Sequence, residues 1–249
     1  MPGTYFIHIV QDLLSRIAMT FKTDNKNHQY IKHTLEPIVE LNAGNILSFE
    51  MVSYTANRMV LDEHYFCNAE RRALVSLFIR QLEFFQKLNR HDEHLYHTVF
   101  INVEPAAFNE LISWEDFLPF VLQFNINIEF DNEAVSNGIP DETIKNVSQL
   151  RELGVKFWIR NADEAVRSLA DELQNAFDGI KINKRFFWQC FNRNDTTFIE
   201  HVAAIWGSES VIVEGVENKH HLSFVKAQGL VQGQGFHWRA RLLRHTTWH

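Results

Sequence analysis

Leu150-Arg151-Glu152-Leu153-Gly154-Val155-Lys156-Phe157-Trp158-Ile159-Arg160-Asn161-Ala162-Asp163, continuing to Leu169, is the stretch whose reading decides the fold. Leu150 and Leu153 close a helix that Gly154 stops, because a left-handed cap costs glycine little. Val155, Phe157 and Ile159 then alternate with Lys156, Trp158 and Arg160, the period-2 pattern of a pleated strand. Asp163 is a good N-cap for a helix carrying Ala165, Val166 and Leu169. Helix, strand and helix in succession predict an α/β protein, and the charged end of such a strand is where these folds place their chemistry. Here that end is an arginine.

The same unit recurs on both sides. Leu35 to Glu40 and Ile46 to Val52 read as two strands joined through Asn42-Ala43-Gly44-Asn45, a hairpin composition. A long helix runs from about Ala69 to Leu88, then a strand from Thr98 to Val103 and a short helix opened by Pro105. Phe124 to Phe130 alternate as a further strand, and Pro140-Asp141-Glu142 starts the next helix with acidic residues at its positive end. Strands around Ile180 to Ile182 and Val211 to Glu214 flank a Phe-rich helix through Phe186, Phe187, Phe191, Phe198 and Val202, which reads as core. The last unit runs through Leu222 and Val225 to Gly233-Gln234-Gly235-Phe236. A repeat of about 30 residues predicts a modified (β/α)8 TIM barrel whose opening hairpin supplies one antiparallel strand.

The strand faces separate in a way that locates a pocket. Apolar residues on one face pack on the helices, so the opposite face points into the lumen. Glu50, Asn102, Glu129, Arg160, Lys181, Glu214 and Gln234 therefore converge near the C-terminal mouth, with Asn161 beside them.

Composition bounds the function classes. The chain has 249 residues, 45% of them hydrophobic, and lacks a Gly-, Ser- or Pro-rich linker, which suits one barrel domain over 31–249. Residues 1–30 read as an amphipathic helix and connector, since Phe6, Ile9, Val10, Leu13 and Ile17 recur at helical spacing while His8, Gln11, Asp12 and Arg16 interrupt any membrane span. A net charge of -7 disfavours nucleic acid, and the basic cluster Arg239, Arg241, Arg244, His245 reads as a solvated end. Cys67 and Cys190 suggest neither a disulfide framework nor a thiolate metal site, so the chain reads as cytoplasmic, with no membrane partner. His91, His94 and His97 read as a polar loop rather than a metal face, and Gly233-Gln234-Gly235 lacks the third glycine of a dinucleotide loop.

In order and spacing these strand ends resemble the EAL-domain family, the cyclic-di-GMP phosphodiesterases, from about Leu35 to Leu243. Glu50-Met51-Val52 resembles the Glu-Ala-Leu motif, Phe100-Ile101-Asn102-Val103 the asparagine strand, and Glu129-Phe130-Asp131-Asn132 the Glu-Ile-Thr-Glu strand. Lys181-Ile182-Asn183 resembles Lys-Ile-Asp, while Glu214-Gly215-Val216-Glu217 and Gln234-Gly235-Phe236 match the last two motifs closely. The resemblance implies that active members use such carboxylates to hold two divalent cations, with Glu50, Asn102 and Glu129 on one and Glu214 on the other. Two aspartates that would bridge them are Arg160 and Asn161 here, which changes the formal charge from -2 to +1. A guanidinium offers donors only, and Tyr54 stands where the family has a phosphate-contacting arginine.

The resemblance therefore implies a degenerate barrel: no catalytic residues, no metal, no cofactor, and weak or absent cyclic-di-GMP binding. It is most similar to enteric-bacterial EAL-like regulators that bind the flagellar master transcription activator through its FlhD subunit and repress motility. The alternatives are a non-catalytic cyclic-di-GMP receptor and a metal-dependent phosphodiesterase. In the degenerate reading Arg160 fills the space of the metals and forks onto Glu129 or Glu50.

Overall fold

The structure is a computed structural model that describes residues 31–54, 60–61, 65, 69–91, 98–113 and 117–238, with 86–91 described by backbone alone. The expected N-terminal helix, Cys67, His94, His97 and the basic cluster from Arg239 lie outside the described residues.

Eight strands close a barrel in sequence order: β1 (Lys32–Glu40), β2 (Ile46–Tyr54), β3 (Thr98–Asn102), β4 (Ile126–Asp131), β5 (Lys156–Ala162), β6 (Gly179–Ile182), β7 (Val211–Glu214) and β8 (Gln232–Gln234). β1 is antiparallel to both neighbours, and the other adjacent pairs are parallel. The hairpin forms because Glu40 accepts hydrogen bonds from the amides of Asn42 and Ala43 and so ties the turn to the end of β1. β1 thus runs from the mouth down to the floor, and every other strand runs from floor to mouth.

The helices form the outer layer: α1 (Arg71–His91), α2 (Pro105–Leu111), α3 (Phe117–Gln123), α4 (Asn132–Ser136), α5 (Asp141–Glu152), α6 (Asp171–Ala176), α7 (Lys184–Arg193), α8 (Thr197–Trp206) and α9 (Lys219–Ala227). Capping explains several of their starts. Glu104 accepts from Ala106 and Ala107 at α2, Asn183 from Arg185 and Phe186 at α7, and Asn218 from His220 and His221 at α9. None of the described helices is long and apolar enough to cross a membrane.

Between strands and helices lies a layer rich in phenylalanine. Phe108 meets Phe130 and Phe157 edge-on at centroid distances of 5.3 and 5.5 Å, and all three rings are fully buried. A second, smaller cluster of Ile38, Phe100, Trp158 and Ile212 fills the lumen below the pocket. This plug gives the pocket a dry floor.

Two local expectations are corrected. Asp163 does act as a cap just after β5, accepting from the Ala165 amide, but the segment Glu164–Ser168 is a 3-10 turn, not an α-helix, and α6 begins only at Asp171. The Phe-rich helix is two helices, because Asn194 adopts the left-handed conformation (φ 51°) and ends α7. Phe187 and Phe198 are buried, and Phe186 packs edge-on against Phe198 at 4.7 Å, so the rings are core as expected.

Candidate functional site at the barrel mouth

The pocket is built in layers along the strands. Register places Asn102 beside Glu129, Glu129 beside Trp158, Asp131 beside Arg160, and Glu214 beside Gln234. Lys181 rises from β6 into the lumen, fully buried, with its Nζ 2.7 Å from Glu129 Oε1, 3.2 Å from Glu50 Oε2 and 4.7 Å from the centre of the Phe100 ring. Gln234 Nε2 donates to the same Glu50 oxygen at 2.7 Å. One ammonium thus holds together carboxylates from β2 and β4, which would otherwise repel each other in a desolvated space.

Arg160 does not take that place. Its closest ion pair is with Asp131, Nε to Oδ2 at 3.7 Å, and no fork onto Glu129 or Glu50 forms. The reason is height in the barrel. Arg160 stands level with Asp131, two residues nearer the mouth than Glu129, a rise of about 6.6 Å. Lys181 reaches the lower layer first.

Asn161 is positioned by an irregularity in β5. The β5–β6 register shifts between Ile159 and Ala162, and Asn161 takes a φ of +54°, a conformation asparagine tolerates better than most side chains. The bulge turns its amide so that Nδ2 donates to Asp131 Oδ2 at 2.7 Å, while its Oδ1 lies 3.5 Å from the Asn183 amide nitrogen. Asp131 therefore serves Arg160, Asn161 and, through Oδ1, the Glu133 amide at the start of α4. Asp131 is missing from the expected pocket, although its position two residues after Glu129 on the same strand face is the signal for it. It also lines, with Asn102, Glu104 and Arg71, a cavity of about 290 Å³ beside the mouth.

The charges shape one another. Burial alone would lower the pKa values of Lys181 and Arg160, but the surrounding carboxylates outweigh it and push both up. Burial pushes the Glu129 carboxyl up, and the charge of Glu50 adds to it against Lys181. Burial would raise Glu50 as well, yet Lys181, Arg160 and the Gln234 hydrogen bond hold it below its ordinary value. Burial and the charge of Glu50 raise Glu214 from 4.5 to about 7.

That last shift has a measurable sign. The folded protein keeps a proton on Glu214 over a range where the unfolded chain has lost it, so this group's stabilisation is complete below pH 4.5 and disappears as pH rises through about 7. We expect Glu214→Gln to flatten the fall in unfolding midpoint across that window. The difference is at most about 3 kcal/mol, and less to the extent that water at the mouth screens the carboxylate. A variant with the same pH profile as the wild type in urea titrations would contradict the assignment.

The residues present do not fit a two-metal centre. Glu50, Asn102, Glu129 and Glu214 remain as oxygen donors, but where the resemblance implies two bridging carboxylates the bulge in β5 presents a guanidinium and an amide. Among the described residues no group of three or more His, Cys, Asp or Glu side chains is placed to hold a metal ion. Cys190 is buried, and burial pushes its thiol up, away from thiolate chemistry.

Comparison with known proteins agrees with this architecture. The barrel superposes on the PaMucR phosphodiesterase in its c-di-GMP complex with a TM-score of 0.67 at 16% identity, covering 92% of this chain and 95% of that one. It superposes on the EAL-like domain protein YdiV with a TM-score of 0.62 at 14% identity, covering 85% and 91%. Klebsiella pneumoniae BlrP1, in a calcium and cyclic-di-GMP complex, matches with a TM-score of 0.63 at 18% identity, covering 85% of this chain and 56% of that one. These likenesses establish the fold. In sequence, the uncharacterized protein y4lL of Sinorhizobium fredii is 30% identical over 99 residues, which is 39% of this chain and 12% of that protein. The family profile of the EAL domain matches residues 24–240, nearly the whole barrel, and the chain belongs to the EAL-domain family.

Proposed function

We propose that this EAL-domain protein is a non-catalytic regulator that works by binding another protein. The observation that carries the reading is the buried Arg160 guanidinium and the Asn161 amide, both held on Asp131, where the resemblance implies two metal-bridging aspartates. Two of the carboxylates on which metal-activated phosphodiester hydrolysis would draw are replaced here by a guanidinium and an amide. A barrel without that chemistry presents its surface, consistent with function being grafted onto folds.

The partner we propose is the FlhD subunit of the flagellar master transcription activator, bound so that the activator's DNA contacts are occluded and flagellar genes and motility are repressed. The support is the resemblance in motif order together with the divergence at Arg160 and Asn161, and a net charge of -7 that suits a protein surface better than DNA. The test is co-purification with FlhD in the presence and absence of cyclic-di-GMP, alongside hydrolysis assays in Mg²⁺. Binding without the dinucleotide and no linearised product are expected. A complex that formed only with cyclic-di-GMP would establish the receptor reading instead, and Mg²⁺-dependent turnover would establish the enzyme.

A further inference from the structure

Apart from the pocket, the rim formed by the exits of β6, β7 and β8 carries an organised aromatic and cationic surface. Lys184 Nζ is 2.6 Å from Glu217 Oε1, 4.4 Å from the centre of the Trp188 ring and 5.1 Å from the centre of the Phe236 ring. Trp188 is fixed in turn by donating its Nε1–H to the Gly215 carbonyl at 2.9 Å. Gly215 has a φ of +80°, and a Cβ there would come within 2.5 Å of Lys184 Cγ, so only glycine allows the three groups to stack this closely. Phe236 nevertheless stays 52% exposed, and it is the one aromatic ring among the exposed large hydrophobic residues described.

The charges around it run against what helix stability favours. α5 and α6 begin with Asp141-Glu142 and Asp171-Glu172, which suit the positive end of a helix. α7 and α9 have no acidic residue in the first turn, and they open at this rim with Lys184-Arg185 and Lys219-His220. Arg185 and Lys219 are exposed. Lys184, Arg185 and Lys219 bring three cations to this rim, and Lys184 is paired with Glu217, on a chain whose net charge is -7.

We infer that this rim is the docking surface of the protein, with Phe236 as its anchor, and that its occupant is an acidic protein segment bearing an apolar side chain. This rests on the protein-binding reading above and deepens it. A rigid aromatic centre ringed by charge is the anatomy of a binding hot spot, and Lys184, held by Glu217, lets a partner's carboxylates meet Arg185 and Lys219.

Two probes keep the rim and the reading apart. The first is a synthetic Asp- and Glu-rich peptide with a central phenylalanine, titrated into the full chain by calorimetry, with a Lys-rich peptide of the same pattern as control. The acidic peptide is expected to bind, weakening about tenfold on Phe236→Ala. Arg185→Glu with Lys219→Glu should weaken it similarly and remove most of its salt dependence. Lys156→Glu, an exposed reversal at the barrel floor, should change nothing. Equal binding by all variants, equal binding of the Lys-rich peptide, or loss of cyclic-di-GMP affinity in the rim variants without loss of the peptide would overturn the inference. The second probe is FlhD with the same variants. If the wild type binds the acidic peptide but not FlhD, the proposed partner is wrong while the rim stands. The altered residues are exposed, and thermal melts confirm that each variant is folded.

Discussion

Lys181→Met is expected to destabilise the barrel by about 3–5 kcal/mol, the scale set by removing one member of a buried ion pair. The methionine would still fill the space over Phe100, so the loss reports the charge and not the packing. With the ammonium gone, Glu50 and Glu129 are left facing each other with Glu129 fully buried. Both then prefer to be protonated, so the penalty should be largest at high pH and shrink as pH falls toward the ordinary carboxylate range. Lys181→Met combined with Glu129→Gln should recover much of the loss, because an amide can stay uncharged in the dry lumen. Urea unfolding of the wild type, both single variants and the double variant closes the cycle. Additive losses would mean that Lys181 and Glu129 are not coupled as the 2.7 Å contact implies.

The second large effect concerns Arg160 and Asn161. Changing both to aspartate moves the formal charge at the rim of the pocket by three units, beside the remaining oxygens of Glu50, Asn102, Glu129 and Glu214. Aspartate tolerates the left-handed conformation nearly as well as asparagine, so position 161, at φ +54°, should keep the bulge that aims it. We expect calorimetry with Mn²⁺ or Ca²⁺ to show no site in the wild type and a site with a dissociation constant below about 1 mM in the double variant. Metal binding should return before hydrolysis, since Glu50, Asn102, Glu129, Lys181 and Glu214 persist and most of the shell is already in place. Equal metal affinity in both proteins would show that Arg160 does not govern the pocket.

How much of the barrel and its pocket is legible in the sequence depends on what alternation encodes. A strand's period of two says which face a side chain takes, and so Glu50, Glu129, Arg160 and Lys181 can be assigned to one lumen from residue order alone. Alternation does not say how high each residue stands, because that depends on the stagger between strands. For this reason the partner expected for Arg160 is wrong by one layer, and Lys181 emerges as the central cation only in three dimensions. The bulge at Asn161 is invisible for a related reason: it is a mismatch between β5 and β6, and neither strand records it alone. α3 and α4 are 7 and 5 residues long, too short for a helical period to emerge. The break between α7 and α8 does leave a signal in Asn194-Asp195, a cap next to a carboxylate that accepts from the Thr197 amide.

The single reversed strand gives the molecule a polarity useful at the bench. β1 enters at the mouth, since Lys32 pairs with Tyr54 at the upper end of β2. A tag or fused domain joined directly to Ile31, in place of residues 1–30, is therefore tethered on the same side as the pocket and the Phe236 rim, and an array immobilised through it would turn that side toward the support. The turns at Gly207 and Gly229, where chain returns from α8 and α9 to the strand starts, lie at the opposite end; their φ values of 81° and 74° suit glycine, so the exposed Glu209 and Ala227 beside them are the positions for an attached side chain. A dye or linker placed there leaves the mouth facing the solution.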